Sequence, residues 1–270
     1  MQTLGPLRGA TLTCEDAGAA ADLYMHALGY TRLDHGHVSP SLAQFWQAPL
    51  LAGAAFICLT APGQTAPWLR FIEQPGSAPA PFTTTGWAAL ELSVQDCDAS
   101  IARLARAGFQ IAGPPADLDF AEGALRAGQV RGPHGEMLYL TQINRQVPGY
   151  TLPQAQTSID RIFIAILATT SLDTSLAHYT RLGAPENGRF QAAVPYIAEA
   201  QGLAADHPFS IATSALAPGH YLELDELPAA TPARPRPQGL LPGGIALLSV
   251  SGAVPGLITG PSGEMIEIIS

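Results

Sequence analysis

Glu223 and Glu267 hold matching places in two short runs, YLELDEL (221–227) and MIEIIS (265–270), whose neighbouring positions are mostly apolar. Strand alternation puts residues i and i+2 on one face, so each Glu has a defined face and Asp225 shares that of Glu223. Two facing carboxylates disfavour each other's ionisation, which raises one pKa and leaves a group able to take or give a proton near neutrality. Both are candidate catalytic residues; the alternative reading is a solvated Glu on an open sheet face. Glu91 is a third candidate. In WAALELSV (87–94), Leu90, Leu92 and Val94 alternate toward a packed face and leave Ala89, Glu91 and Ser93 toward a cleft.

The same alternation turns Met137, Tyr139 and Thr141 inward, and in PWLRFIEQ (67–74) it turns Trp68, Arg70 and Ile72 inward. A cleft with Arg70, Glu91 and Tyr139 beside Trp68 and Trp87 has apolar walls and a few polar groups, the usual form of a small-molecule pocket. Tyr221, two residues before Glu223, completes the candidate ligand-binding set. Alternatively, Arg70 and Glu91 form a structural salt bridge across the sheet. His35 and His37 are two apart, but the intervening Gly36 suggests a loop rather than a shared strand face. His134 and His220 fall at turn tips, where a solvated polar residue is ordinary.

Several chemistries are excluded. All thirteen basic residues are Arg, so no Lys can form a Schiff base. The net charge of −9 argues against nucleic acid as a partner. Cys14, Cys58 and Cys97 lack CxxC spacing and read as buried thiols. GxSxG, GxxxxGK[ST], HExxH and strand-anchored GxGxxG patterns are absent. No apolar run approaches the roughly eighteen residues a membrane helix needs, and the N-terminus lacks the order of a secretory signal. A soluble cytoplasmic protein with no membrane partner is expected.

The elements that must carry these residues are repeated. GPHGEMLYLTQ (132–142) and GPSGEMIEIIS (260–270) each open with a Gly-Pro-X-Gly turn and run into a strand, and APGHYLELDEL (217–227) is a looser copy. Upstream, the stretches 10–30, 88–109 and 163–184 each read as a strand, then a helix opened by Asp16, Asp96 or Ser171 and closed at Gly29, Gly108 or Gly183. The unit is a strand, a helix and further strands, starting near residues 8, 86, 159 and 243; the last copy is too short for its helix. A polar, Pro-containing join predicts domains at 1–145 and 158–270 with a linker at 146–157. The Pro-rich stretch 228–244 reads as an extended, mobile connector.

This pattern of strand, helix ending LGY, AGF or LGA, and GPxGEM plus strand resembles the vicinal oxygen chelate superfamily, which includes glyoxalases, bleomycin-resistance proteins and extradiol dioxygenases. The resemblance implies an α+β fold of tandem βαβββ modules forming two half-barrel domains, with the last module degenerate. It also implies a divalent metal on the concave face. The family's first-strand ligand positions fall here on Gly9, Ala89 and Ile164, which cannot bind one. Its last-strand positions fall on Tyr139, Glu223, Glu267 and, more loosely, Arg70. No cofactor is expected; the remnant of a metal site would be a weakly held divalent ion at Glu223 and Glu267. The expected function is proton abstraction, as a lyase or isomerase, on an aromatic or carbonyl-bearing metabolite, with a cleft Glu as general base. The alternative is a small-molecule binding or drug-sequestering protein. A homodimer is compatible with the incomplete last unit.

Overall fold

A computed structural model describes residues 3–118 and 121–270. Four modules follow one another. Module 1 contains β1 (Leu7–Cys14), α1 (Ala17–Leu28), β2 (Thr31–His37), an inserted helix α2 (Pro40–Phe45), β3 (Ala55–Thr60) and β4 (Trp68–Glu73). Module 2 contains β5 (Gly86–Val94), α3 (Cys97–Arg106), β6 (Gln110–Asp117), β7 (Leu125–Arg131) and β8 (Met137–Ile143). Module 3 contains β9 (Ile159–Thr169), α4 (Leu172–Arg181), β10 (Glu186–Ala193), α5 (Pro195–Gln201), β11 (Pro208–Ala217) and β12 (His220–Glu226). Module 4 keeps only β13 (Ile245–Ser251), β14 (Gly256–Thr259) and β15 (Met265–Ile269), without a helix.

The three long helices start where their caps direct. Asp16, Asp96 and Ser171 accept the backbone N–H three residues on, from Ala19, Ala99 and Thr174 at 2.9, 2.9 and 3.3 Å, each contact stabilising its helix by about 1 kcal/mol. Their apolar faces, including Tyr24, Ile101 and Leu176, pack on Leu12, Leu90, Leu92 and Leu248 in one core that draws residues from both sheets.

In every module the last strand returns parallel beside the first, as β4 does with β1 and β12 with β9. Modules then join through antiparallel first strands, β1 with β13 and β5 with β9. One sheet runs β14-β15-β13-β1-β4-β3-β2 and the other β10-β11-β12-β9-β5-β8-β7-β6. Module 1 therefore shares a sheet with module 4, and module 2 with module 3. This corrects the expected division: the 146–157 segment connects two modules of one sheet, not two half-barrels. Alternation marks each first strand as an open edge but carries no label for which edge it meets.

The consecutive modules do meet, back to back, and the repeated turn is what fastens them. Tyr24 of α1 donates its hydroxyl to Glu136 Oε1, and Tyr179 of α4 donates to Glu264 Oε1 at 2.7 Å. The second oxygen of each Glu accepts a turn N–H, from His134 and Ser262 at 2.9 and 2.8 Å. A Cβ at Gly132 or Gly260 would collide with the folded-back carboxyl, so glycine there makes room for the clasp. Two copies of GPxGEM thus serve two equivalent module contacts.

The 228–244 connector is a packed strap rather than a free linker. Leu241 is buried, Arg234 donates to the Gly243 and Ile245 carbonyls, and Arg236 donates to those of Trp46 and Gln47. No helix among the described residues is long and apolar enough to cross a membrane.

Candidate functional site

The sheet of modules 2 and 3 bends until its two edge strands, β6 and β10, both line one cavity of about 660 Å³. The start of α5 closes the gap, packing against β6 and placing Tyr196 over the interior. Phe163, Ile164, Leu125 and Ile211 supply apolar floor, and Tyr150 and Leu152 of the inter-module segment supply a wall.

Three carboxylates face this space: Glu91 from β5, and Glu223 and Asp225 from β12. Alternation explains their common direction, since Leu90 and Leu92, and Leu222 and Leu224, point into the helical core instead. Thr141 donates to Glu91 Oε1 at 2.6 Å, which fixes that carboxyl and leaves its other oxygen for the cavity. Asp225 is 1% exposed, and its Oδ1 has no hydrogen-bond partner among the described residues. Tyr196 donates to the Tyr139 hydroxyl, which lies beside these carboxylates.

Burial pushes Glu91 up to about 7, against the opposing Thr141 hydrogen bond. Burial and then the Glu91 charge push Asp225 up to about 7. Glu223 is raised well above 4.5 by burial, then by Asp225 and Glu91. Burial, then Tyr196 and the acidic groups, holds Tyr139 well above 10, and burial and the acidic groups, against the Tyr139 hydrogen bond, do the same for Tyr196, so both phenols are donors at neutral pH.

In the sheet of modules 1 and 4 the concave face is packed with side chains. Trp46, after α2, fills it with Val38, Leu51, Leu241 and Leu247. Beneath Trp46, Arg70 donates to Glu267 Oε1 at 2.6 Å and to Thr11 Oγ1 at 2.9 Å. Trp46 donates its indole N–H to Glu267 Oε2 at 2.6 Å, and Ser249 donates to Oε1. The Arg70 guanidinium lies 4.6 Å from the Trp46 ring centroid, a cation–π contact over the ion pair.

Of the residues singled out from the sequence, the structure brings Glu91, Tyr139 and Glu223 into one cavity, with Asp225 as the suggested neighbour. It separates the others. Glu267 and Arg70 pair with each other in the opposite sheet, so Glu223 and Glu267 do not face one another and Arg70 does not bridge to Glu91. Trp87 is buried, its indole N–H donating to the Met265 carbonyl at 2.9 Å. Trp68 packs over Gly9 in the first sheet. Tyr221 is buried, its hydroxyl accepting the Thr151 N–H at 2.8 Å and its ring 5.4 Å from Tyr150, so it supports the wall without lining it. His35 and His37 lie in β2, exposed on an edge strand and not in a loop.

Sequence reasoning passed over Tyr196 and Trp46. Each belongs to a short helix whose start was legible: Ser39 before Pro40, and Pro195 at the first position of α5 with Gly202 as its left-handed cap.

The donor set does not fit a resident metal. Gly9, Ala89 and Ile164 have no ligand atom, Glu267 is neutralised by Arg70, and no three His, Cys, Asp or Glu among the described residues gather as a metal site. A divalent ion shared by Glu223 and Glu267 is ruled out by their places on different sheets.

These carboxylates make stability depend on pH in a defined direction. Burial also raises Glu136 to about 7, and raises Glu264. Between the ordinary 4.5 and about 7, the folded chain holds protons that the unfolded chain releases. Stability from these groups is therefore complete below 4.5 and is lost as pH rises through about 7. The urea midpoint is expected to fall across this window, and Glu264→Gln to flatten part of the fall. A midpoint that rises across the same window would show these groups to be ionised and well solvated in the fold.

Residues 7–140, modules 1 and 2, match the model of the Glyoxalase/Bleomycin resistance protein/Dioxygenase superfamily. No curated protein sequence matches the chain. Among solved structures, glyoxalase I from Zea mays is similar with TM-score 0.65 and 14% identity, covering 98% of this chain and 92% of that one. A candidate dioxygenase from Bacillus subtilis subsp. subtilis str. 168 is similar with TM-score 0.60 and 12% identity, covering 99% and 86%. Identities this low speak for the fold alone. Modules 1 and 2 thus belong to the glyoxalase/bleomycin resistance/dioxygenase superfamily, and modules 3 and 4 repeat their parallel pairing of first and last strands.

Proposed function

We propose that the module 2–3 cavity is the active site of a proton-transfer enzyme, a lyase or isomerase acting on a small, partly apolar metabolite with an aromatic or carbonyl group. The observation that carries this is that the buried Glu91 and Asp225 and the half-buried Glu223 share one apolar-walled space. Perturbed carboxylates in a cavity are matched to acid–base work at neutral pH. Glu91, held by Thr141, acts as general base. Glu223, the more strongly raised group, returns the proton as general acid. Tyr139 accepts from Tyr196 and keeps its own hydroxyl proton for an oxygen on which negative charge grows.

Incubation in D₂O with a panel of aromatic and carbonyl-bearing metabolites, read by mass spectrometry, tests this. The expected result is deuterium incorporation, or product, that depends on Glu91 and Glu223. The second reading is ligand sequestration, favoured by the depth and apolar lining of the cavity. Tight binding with no exchange and no mass change for any bound compound would replace the enzyme reading by that one.

A further inference from the structure

The charge lining this cavity is of one sign. Glu91, Glu223 and Asp225 face it, Asp117 at its rim is exposed and paired with Arg126 at 3.1 Å, and no Arg or His lines it among the described residues. The aromatic lining residues Tyr139, Tyr150, Phe163 and Tyr196 add electron-rich ring faces, which attract cations. Asp225 Oδ1, buried without a hydrogen-bond partner, is an acceptor that the fold itself does not satisfy. Leaving such a group unpaired costs free energy that a ligand donor can recover.

The geometry points to an organic cation as the ligand: a protonated amine, or an amine-derived iminium, carried on an aromatic or otherwise apolar body. This rests on the proton-transfer reading of the cavity and is supported by the chemistry of that step. When a carboxylate takes a proton from a neutral substrate, the C–H bond breaks, an O–H bond forms, and the electron pair leaves a carbanion or enolate. Negative charge has then only moved within a space that offers no cationic side chain. When the substrate carries its own positive charge, the same transfer ends with a neutral carboxylic acid, and the electron pair is drawn toward the cationic nitrogen. In a low-dielectric cavity the second course removes buried charge instead of relocating it. A metal ion is a poorer occupant, because among the described residues no three of the acids sharing this cavity are placed to hold one ion.

The test compares 2-phenylethylamine, 2-phenylethanol and 3-phenylpropanoate, which share a ring and similar length but differ in charge, by titration calorimetry on the intact chain at pH 8. The amine is expected to bind at least about tenfold tighter than the alcohol, equivalent to about 1.4 kcal/mol, and the carboxylate weakest of the three. Amine affinity should fall as pH is lowered through about 7, where Glu91 and Asp225 take up protons, with proton release on binding seen across buffers of different ionisation enthalpy. The groups facing the ligand from the surrounding elements are Glu91 of β5, Tyr139 of β8, Glu223 and Asp225 of β12, Tyr196 of α5 and Tyr150, with Asp117 of β6 at the rim held by Arg126 of β7. Asp225→Asn should weaken the amine about tenfold and leave the alcohol unchanged.

Equal affinity for amine and alcohol, tighter binding of the carboxylate, or no binding by the amine up to its solubility would each overturn the inference. So would calorimetric binding of Mn²⁺ alone at these carboxylates. Failure here remains distinct from failure of the enzyme reading. Deuterium exchange on neutral carbonyl compounds without amine binding removes only the cation, whereas amine binding without exchange on any compound removes only the enzyme.

Discussion

Arg70→Ala lowers the unfolding free energy by about 3–5 kcal/mol, the range for removing one partner of a buried ion pair. Its side chain is 11% exposed and that of Glu267 is 3% exposed, so water cannot replace the lost cation. Glu267 would keep the Trp46 and Ser249 donors but no counter-charge, and Trp46 would lose the guanidinium beneath its ring. Urea unfolding of Arg70→Ala, Glu267→Leu and the Arg70→Met/Glu267→Leu double variant measures the coupling. The double variant is expected to be more stable than Arg70→Ala, because the ionic pair is then replaced by apolar volume. A loss under about 1 kcal/mol for Arg70→Ala would mean the pair behaves as a solvated surface bridge. Deuterium exchange per folded molecule should be unchanged, since Arg70 lies in the sheet opposite the cavity.

That separation reflects an asymmetry between the half-barrels. Module 4 has lost its helix and retains three strands. Its partner, module 1, carries the α2 insertion, and Trp46 and Leu51 occupy the hollow that its sheet would otherwise enclose. The strap from 228 to 244 holds this filling, with Arg236 on the Trp46 carbonyl and Leu241 in the same cluster. Modules 2 and 3 are complete, and their hollow stays open. One half-barrel became a packed core that needs an ion pair at its base, and the other kept a cavity with unpaired acids.

The sequence carried the modules well because their signals are local. A cap residue, an alternating strand and a Gly-Pro-X-Gly turn each span a few residues, and Asp16, Asp96, Ser171 and Gly29 behave as their types dictate. The inward face of β5 was legible for the same reason, which is why Glu91 and Tyr139 meet. Pairing of modules was not legible, because hydrogen-bonding edges of first strands are chemically alike; Glu223 and Glu267 have near-identical surroundings in sequence and end on different sheets. The fate of Arg70 depended on Trp46, more than twenty residues away at the end of an inserted short helix. Its place could not come from the repeat.

Glu91→Gln is the second large effect, and it acts in opposite directions on rate and stability. Removing the general base lowers kcat and kcat/KM together by roughly 10²–10⁴-fold. The wild-type rate should rise with pH through about 7 as Glu91 ionises, then fall where the Glu223 proton is lost. The variant loses the rising limb. Its amide still accepts from Thr141 but no longer holds a charge in an apolar wall, so above pH 7 it is more stable than the wild type by up to about 3 kcal/mol, from linkage of about 1.4 kcal/mol per pH unit. That gain vanishes at mildly acid pH, where the native carboxyl is already protonated. Glu223 and Asp225, both raised in part by Glu91, titrate lower in the variant, which carboxyl ¹³C chemical shifts report. Glu264→Gln, buried outside the cavity, is the control: a weaker pH dependence of stability with no change in rate. If Glu91→Gln retains full exchange activity while gaining stability, the carboxyl is an unsatisfied core group and the base must be sought at Asp225.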